Sequence, residues 1–180
     1  MTARIVAVCA VHALIPDAGT IGVTAIDKRP LDGAVRVGPY GVRGDVQANR
    51  KHHGGLDQAV YAYAQEDAAF WESELGRELT PGWFGENLRT EGIDVNAVVI
   101  GERWRIGETL ELEVTRHRNP CQTFARRLGG PEARGWVKRF ADERRLGPYF
   151  RVVKSGAISA GDEIVVLSRP VGAPGLLDGV

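Results

Sequence analysis

Short apolar segments with a two-residue period run through most of the chain and are separated by glycine and proline. Residues 5–11 (IVAVCAV) are apolar and rich in β-favouring residues, and residues 58–64 (QAVYAYA) alternate in the same way. The stretches "TAIDKRPLDGAVRVGPYGVRGD", "AVVIGERWRIGETLELEVTRHR" and "YFRVVKSGAISAGDEIVVLSRP" repeat this character. Such a pattern is typical of short strands joined by tight turns.

Two regions change to a helical period. From Gln65 the apolar residues recur three or four positions apart and acidic residues occupy the first turn, which predicts a helix ending near Gly76. Further along, Phe124 and Leu128 lie four apart, and after a Gly-Gly-Pro break the apolar residues between 133 and 140 mark another helix.

These elements predict a mainly β fold with a few helices, organised as a closed or nearly closed β-barrel with the helices at its rim. A chain of 180 residues is most simply one domain, which we assign to residues 1–170. The last segment, residues 171–180 (VGAPGLLDGV), has little to bury and is predicted to be a flexible tail.

Charge and composition exclude several classes of partner. Lys plus Arg and Asp plus Glu both total 23, so no net field draws the protein to nucleic acid or to a membrane. The N-terminal apolar run is too short for a membrane span and shows no export signal. We therefore expect a cytoplasmic protein whose two cysteines, Cys9 and Cys121, are free thiols, with Cys9 in the core.

Residues 50–57 (RKHHGGLD) form the first candidate site. The adjacent histidines, His52 and His53, would point to opposite faces of a strand, which disfavours a shared zinc ion. Gly54 and Gly55 allow a sharp turn or a close approach to a ligand, and Lys51 adds positive charge, so this segment could hold a phosphate or another oxyanion. The alternative is a solvated basic turn in which the histidines cap backbone groups.

The loop "GWFGEN" forms a second candidate site. Its aromatic residues could wall a pocket whose polar contacts come from Glu86 and Asn87, beside Phe84 and Gly85. The alternative is an aromatic-anchored loop that closes onto a strand.

Cys121 carries the third candidate site, in "TRHRNPCQTFARR". A helix that begins after Pro120 would set the thiol at its start, near Arg118, Arg126 and Arg127, and this setting favours thiolate over thiol. One thiolate is too few to hold zinc, but it suffices for a metal whose other ligands come from a cofactor. His117 gives only weak support for a nucleophile and base pair, and the simplest alternative is a buried structural cysteine.

Six segments, taken together and in this order, resemble a MOSC domain, the family named for the C-terminal domain of molybdenum cofactor sulfurase. They are "IDKRP", "GDVQANRKHHGGLDQAVYAY", "WFGENL", "IGERWRIGETLELEV", "NPCQTFARR" and "YFRVVKSGAISAGDEIVVLSR". The similarity runs from about Val6 to Ser168 and is greatest to the YiiM-like bacterial branch. It implies a β-barrel of MOSC type that binds the molybdenum cofactor (Mo-molybdopterin).

The resemblance also implies roles for individual residues. Cys121 matches the family's single cysteine and would be a direct molybdenum ligand and the catalytic residue. Lys51, His52, His53, Gly54 and Gly55 match its HHGG motif, and Phe84, Gly85, Glu86 and Asn87 match its FGEN motif. The roles of Arg118, Arg126 and Arg127 are inferred instead from their charge and their proximity to Cys121, which would let them meet the negative charge of the cofactor.

Related MOSC proteins reduce N-hydroxylated compounds such as amidoximes and hydroxylaminopurines, so we expect an oxidoreductase with a small-molecule substrate and an electron-donor protein. Two other hypotheses stay open, namely a non-catalytic protein that carries the cofactor or handles its sulfur, and an anion-binding barrel with an inert thiol. YiiM-like relatives continue into a helical extension, and amidoxime-reducing proteins carry a preceding β-domain. Because neither feature is seen in this sequence, the resemblance supports binding of the cofactor more directly than it supports one particular reaction.

Overall fold

The computed structural model describes residues 2–48 and 54–180. These residues form eleven strands: β1 (Arg4–Pro16), β2 (Val23–Pro30), β3 (Val35–Gly38), β4 (Gly41–Val42), β5 (Val60–Ala64), β6 (Leu88–Glu91), β7 (Arg103–Ile106), β8 (Leu110–His117), β9 (Pro148–Lys154), β10 (Gly156–Ile158) and β11 (Ile164–Ser168). They also form the helices α1 (Gln65–Leu75), α2 (Gln122–Leu128) and α3 (Trp136–Asp142), with short 3₁₀ turns at Leu56–Gln58 and Gly130–Ala133. The mainly β prediction is thus confirmed.

Eight of the strands build one sheet in the order β11-β7-β8-β9-β5-β6-β1-β2, and β10-β3-β4 form a smaller sheet. Neighbouring strands of the large sheet are antiparallel except β5 and β6, which pair in parallel with Ala62 opposite Leu88. Because β5 and β6 are parallel, the loop that precedes β6 lies beside the start of β5. There the N–H of Asn87 donates to the carbonyl of Tyr61 at 2.8 Å.

The predicted barrel closure is not confirmed. No sheet of the described residues closes on itself. The first half of β1 pairs with β6 along one edge, and its second half pairs with β2 along the opposite edge. Only its first residues remain to meet the segment before β11, through the bridge between Arg4 and Glu163 and flanking backbone hydrogen bonds such as Ile5 N–H to Asp162 O at 2.9 Å.

The helices pack on the sheet through an aromatic cluster. Phe84 stacks on Tyr63 with ring centroids 4.1 Å apart and on Phe124 of α2 at 5.5 Å. Phe124 in turn contacts Trp136 of α3 at 5.4 Å. All four side chains are almost completely buried, so the position of α2, and of the residues at its start, is fixed by the core.

The C-terminal segment differs from the prediction of a flexible tail. Leu176 and Leu177 are buried, the N–H of Leu176 donates to Val98 O at 2.8 Å, and Arg144 donates to the carbonyl oxygens of Leu177 and Val180. Burial of the two leucines acts together with these hydrogen bonds to order the segment, a combination that its Gly and Pro content did not indicate. Within the part of the chain that the structure describes, no helix is both long enough and apolar enough to cross a bilayer.

Candidate functional site

A cavity of about 240 Å³ opens between the β1–β2 hairpin, the loop before β6 and the start of α2. This volume is several times the roughly 30 Å³ that one water molecule occupies, so the cavity accommodates an organic group. Several of the predicted site residues line it together: Phe84, Gly85, Asn87, Arg118 and Cys121.

Cys121 stands immediately before α2, with an extended backbone (φ −140°, ψ 159°). Its thiol is free and partly buried, whereas Cys9 is completely buried, as predicted for a core residue. Burial raises the pKa of the Cys9 thiol well above its ordinary value, so Cys9 stays protonated. Of the two cysteines, Cys121 is therefore the one available to a ligand in the cavity.

Arg118 is the most unusual charge in the site. Its side chain is only 6 % exposed, and its guanidinium lies over the rings of Phe124 and Tyr61, 5.0 and 5.3 Å from their centroids. Among the described residues Nη1 has no hydrogen-bond partner. Burial is the largest single effect on Arg118 and lowers its pKa, but the acidic groups around it, Tyr61, Cys121, Tyr149 and Tyr63, together raise the pKa above its ordinary value. A buried cation with a free donor that lines a cavity favours an anionic ligand.

The polar side of the cavity also contains an ion pair, Lys28 with Asp45, that the sequence analysis did not single out as part of a site. Lys28 Nζ donates to Asp45 Oδ2 at 2.6 Å, and Asn87 Nδ2 donates to the same oxygen at 2.8 Å. Asn87 additionally donates to Cys9 O at 3.2 Å and accepts from Tyr61 N–H at 3.2 Å. Lys28 and Asp45 occur in "IDKRP" and "GDVQAN", so the signal was present in the segments that carry the family resemblance.

Two tyrosines complete this part of the lining. Tyr61 donates its hydroxyl to Leu146 O at 2.8 Å, and Tyr149 packs against it with ring centroids 5.2 Å apart. Burial raises the pKa of both hydroxyls, so they line the cavity as neutral phenols.

Other predicted residues lie outside the lining that the described residues form. Glu86 is fully buried and pairs with Arg89 at 2.6 Å, and it also accepts the N–H of Gly82. Arg126 pairs with Asp17 at 2.7 Å and Arg127 with Asp27 at 3.3 Å. These three charges are paired within the protein, although Glu86 Oε2 and Arg127 Nε have no hydrogen-bond partner among the described residues. The assignment of these residues to the cofactor site stays a prediction.

The basic turn is described only in part. Gly55 adopts φ 91° and donates its N–H to Gln47 Oε1 at 2.9 Å, and Gln47 itself lines the cavity, so this end of the turn lies near the site. The predictions for Lys51, His52 and His53 fall outside the described residues. His117, the weakly supported base, has Nδ1 3.2 Å from Arg118 O.

The loop that carries Phe84 and Asn87 depends on Gly82. Gly82 adopts φ +90°, and a Cβ at this position would lie 2.4 Å from Lys28 O. We expect Gly82→Ala to lower the free energy of unfolding by roughly 2–5 kcal/mol, from backbone strain plus the steric clash. Gly33→Ala is the matched control, because Gly33 has φ +70° but open space around it, so it should lose only the strain, about 1–2 kcal/mol. Equal losses in urea titrations would contradict the steric argument.

Fold and site together define a mainly β domain with a single thiol and a buried arginine in one cavity, and Nη1 of this arginine has no hydrogen-bond partner within the described residues. The family model for the MOSC domain matches residues 49–165, and the chain belongs to this family.

Individual relatives agree with this assignment and support the YiiM-like branch. The uncharacterized protein YflK of Bacillus subtilis (strain 168) is 38% identical over 146 residues, covering 81% of this chain and 64% of YflK. A protein named "Reductase" from Gibberella moniliformis is 36% identical over 150 residues, which cover 82% of this chain and 26% of that protein. The crystal structure of YiiM from Geobacillus stearothermophilus superposes with a TM-score of 0.75 at 28% identity, over 97% of this chain and 80% of that one. This chain thus spans less than two thirds of the two sequence relatives.

Proposed function

We propose that the protein is a molybdenum cofactor-binding oxidoreductase that reduces N-hydroxylated compounds such as amidoximes and hydroxylaminopurines, with Cys121 as a thiolate ligand of the metal. The observation that carries the proposal is the shared cavity of Cys121 and Arg118, where a soft metal ligand stands near a buried cation with an unused donor. Membership of the MOSC family and the name of the fungal relative support it.

The residues present fit this cofactor. Among the described residues no three His, Cys, Asp or Glu side chains group to hold a metal, so a metal at Cys121 needs further ligands, which the dithiolene sulfurs of the pterin provide. Arg118 and the Lys28 ammonium would face its anionic groups, and Asn87 keeps Asp45 and Lys28 in position. When bound, the cofactor would supply the redox chemistry, while the protein binds and orients the substrate.

The overall reaction defines a further partner. Converting an N-hydroxylated group to the corresponding amine or amidine consumes two electrons and two protons and releases water. Because these two electrons must be resupplied after each turnover, we propose that an electron-donor protein provides them in the cytoplasm.

Metal and pterin analysis tests this function. We expect the chain, purified from a host that makes the cofactor, to contain close to one molybdenum and one pterin per chain, and to reduce benzamidoxime or hydroxylaminopurine with reduced methyl viologen. The matched control is protein from a host unable to make the cofactor. Loaded protein without turnover would favour the carrier hypothesis, and protein without metal and pterin from the producing host would exclude both.

A further inference from the structure

We propose that the tip of the β1–β2 hairpin, residues 17–26, is the wall of the cavity that selects ligands with an apolar substituent, and that Asp17 and Arg126 fix this wall beside Cys121. The inference rests on the proposed function, because it names the substrate class of the same cavity: N-hydroxylated compounds that carry an apolar group.

The tip contributes two of the three large exposed apolar side chains in the described lining of the cavity, the third being Val46. Ile21 and Val23 line it and are 45 % and 41 % exposed, and Ala25 and Ile26 continue this surface. Large exposed apolar side chains at the mouth of a cavity gain free energy when an apolar group covers them. Among the described residues, the ionic groups of the lining are Asp17, Lys28, Asp45 and Arg118. Because Asp17 is paired with Arg126, the tip offers an apolar surface and the cavity matches a ligand with one polar and one apolar part.

The tip is held to the helix that follows Cys121. The carboxylate of Asp17 accepts from Arg126 Nε at 2.8 Å and Nη2 at 2.7 Å, and from Thr123 Oγ1 at 3.1 Å. Such two-point pairing sets orientation as well as distance. The hydrogen bond from Arg126 holds the pKa of Asp17 below its usual range, so the pair is ionic at neutral pH.

The turn is also ordered internally. Asp17 N–H donates to Gly22 O at 3.0 Å, and Gly19 N–H donates to Asp17 Oδ2 at 3.1 Å. Asp17 therefore fixes both the shape of the tip and its attachment to α2. Arg126 acts as a positioning residue here, which differs from the cofactor contact that the sequence predicted.

Thiol labelling tests the wall without cofactor or turnover. The rate at which Cys121 reacts is measured with N-phenylmaleimide and with N-(2-hydroxyethyl)maleimide, and peptide mapping distinguishes Cys121 from Cys9. The ratio of the first rate to the second is then divided by the same ratio for free glutathione, which gives a normalised ratio. We expect a normalised ratio of about 5 or more in the wild type, because the phenyl group covers Ile21 and Val23. Ile21→Ser with Val23→Ser should bring it close to 1. Leu167→Ser, at an equally exposed leucine (44 %) outside the described lining, should leave it unchanged.

The Asp17 and Arg126 pair is tested with the same ratio. Asp17→Asn should lower it at least about twofold by releasing the wall, and Glu74→Gln, in the exposed pair of Glu74 with Arg139, should not. A ratio near 1 in the wild type, or one that the tip and Asp17 variants leave unchanged, overturns the proposal. In loaded enzyme, the tip variant should raise KM for benzamidoxime more than for acetamidoxime while kcat is kept. Absence of any reductase activity would contradict the proposed function and leave the labelling result to decide on the wall.

Discussion

Cys121→Ala is expected to purify with less than about a tenth of the wild-type molybdenum per pterin, even from a host that makes the cofactor. The chain offers one accessible thiol in the cavity, since Cys9 is completely buried and its pKa is raised by that burial. Loss of groups that merely orient a metal ligand lowers affinity about 10–100-fold, so loss of the ligand itself should cost at least as much. Molybdenum by elemental analysis and pterin by fluorescence after oxidation measure the two separately.

The matched control for this variant is Cys9→Ala, which removes the other thiol. Cys9 lies in β1 and its carbonyl accepts from Asn87, a contact that the substitution keeps. Cys9→Ala should therefore retain the wild-type ratio of molybdenum to pterin. Cys121→Ala with the wild-type ratio and an unchanged thermal unfolding curve would show that Cys121 does not bind the metal.

Local sequence signals were sufficient to predict helix α1 and the start of helix α2, which borders the cavity. The change of period at Gln65 predicted α1, and Gly76 ends it with a left-handed backbone at φ 62°. Pro120 likewise indicated that Cys121 precedes a helix, and α2 does begin at Gln122. Both predictions depend on neighbours within one turn, which is why the sequence alone contains them.

Long-range pairing explains what the sequence did not reveal. Asp17 meets Thr123 and Arg126 more than a hundred positions away, and nothing in "PDAG" distinguishes a turn aspartate from one that contacts α2. The predicted closure of the sheet was not confirmed for a similar reason, because segment patterns do not determine which edge of β1 each partner strand occupies.

The FGEN segment shows the same limit over a short distance. The sequence predicted that all four residues of this segment line a pocket. In the structure Phe84, Gly85 and Asn87 line the cavity, whereas Glu86 is buried in the core. Arg89, three positions later, is the buried partner of Glu86, but such a spacing predicts a charge pair only within a helix, and this segment is a loop that leads into β6. The interpretation of Glu86 as a polar pocket residue overlooked this partner.

Arg89→Leu is expected to lower the free energy of unfolding by about 3–5 kcal/mol, because it leaves the carboxylate of Glu86 buried without its cation. Both side chains are fully buried, and Arg89 donates to Glu86 Oε1 through Nε at 2.9 Å and Nη2 at 2.6 Å. Urea titrations of the apoprotein measure the loss. Arg139→Leu is the matched control, since its pair with Glu74 is solvent-exposed and should contribute at most about 1 kcal/mol.

The double variant Glu86→Leu with Arg89→Leu separates the cost of an unpaired charge from the loss of hydrogen bonds. Removing both charges should recover part of the stability lost in Arg89→Leu, because an apolar pair avoids the buried carboxylate. Full recovery is not expected, since Gly82 N–H loses its acceptor on Glu86 and Thr80 O loses its donor on Arg89. A double variant no more stable than Arg89→Leu would show that the pair matters through its hydrogen bonds to the loop 80–87, the segment that brings Phe84 and Asn87 to the cavity.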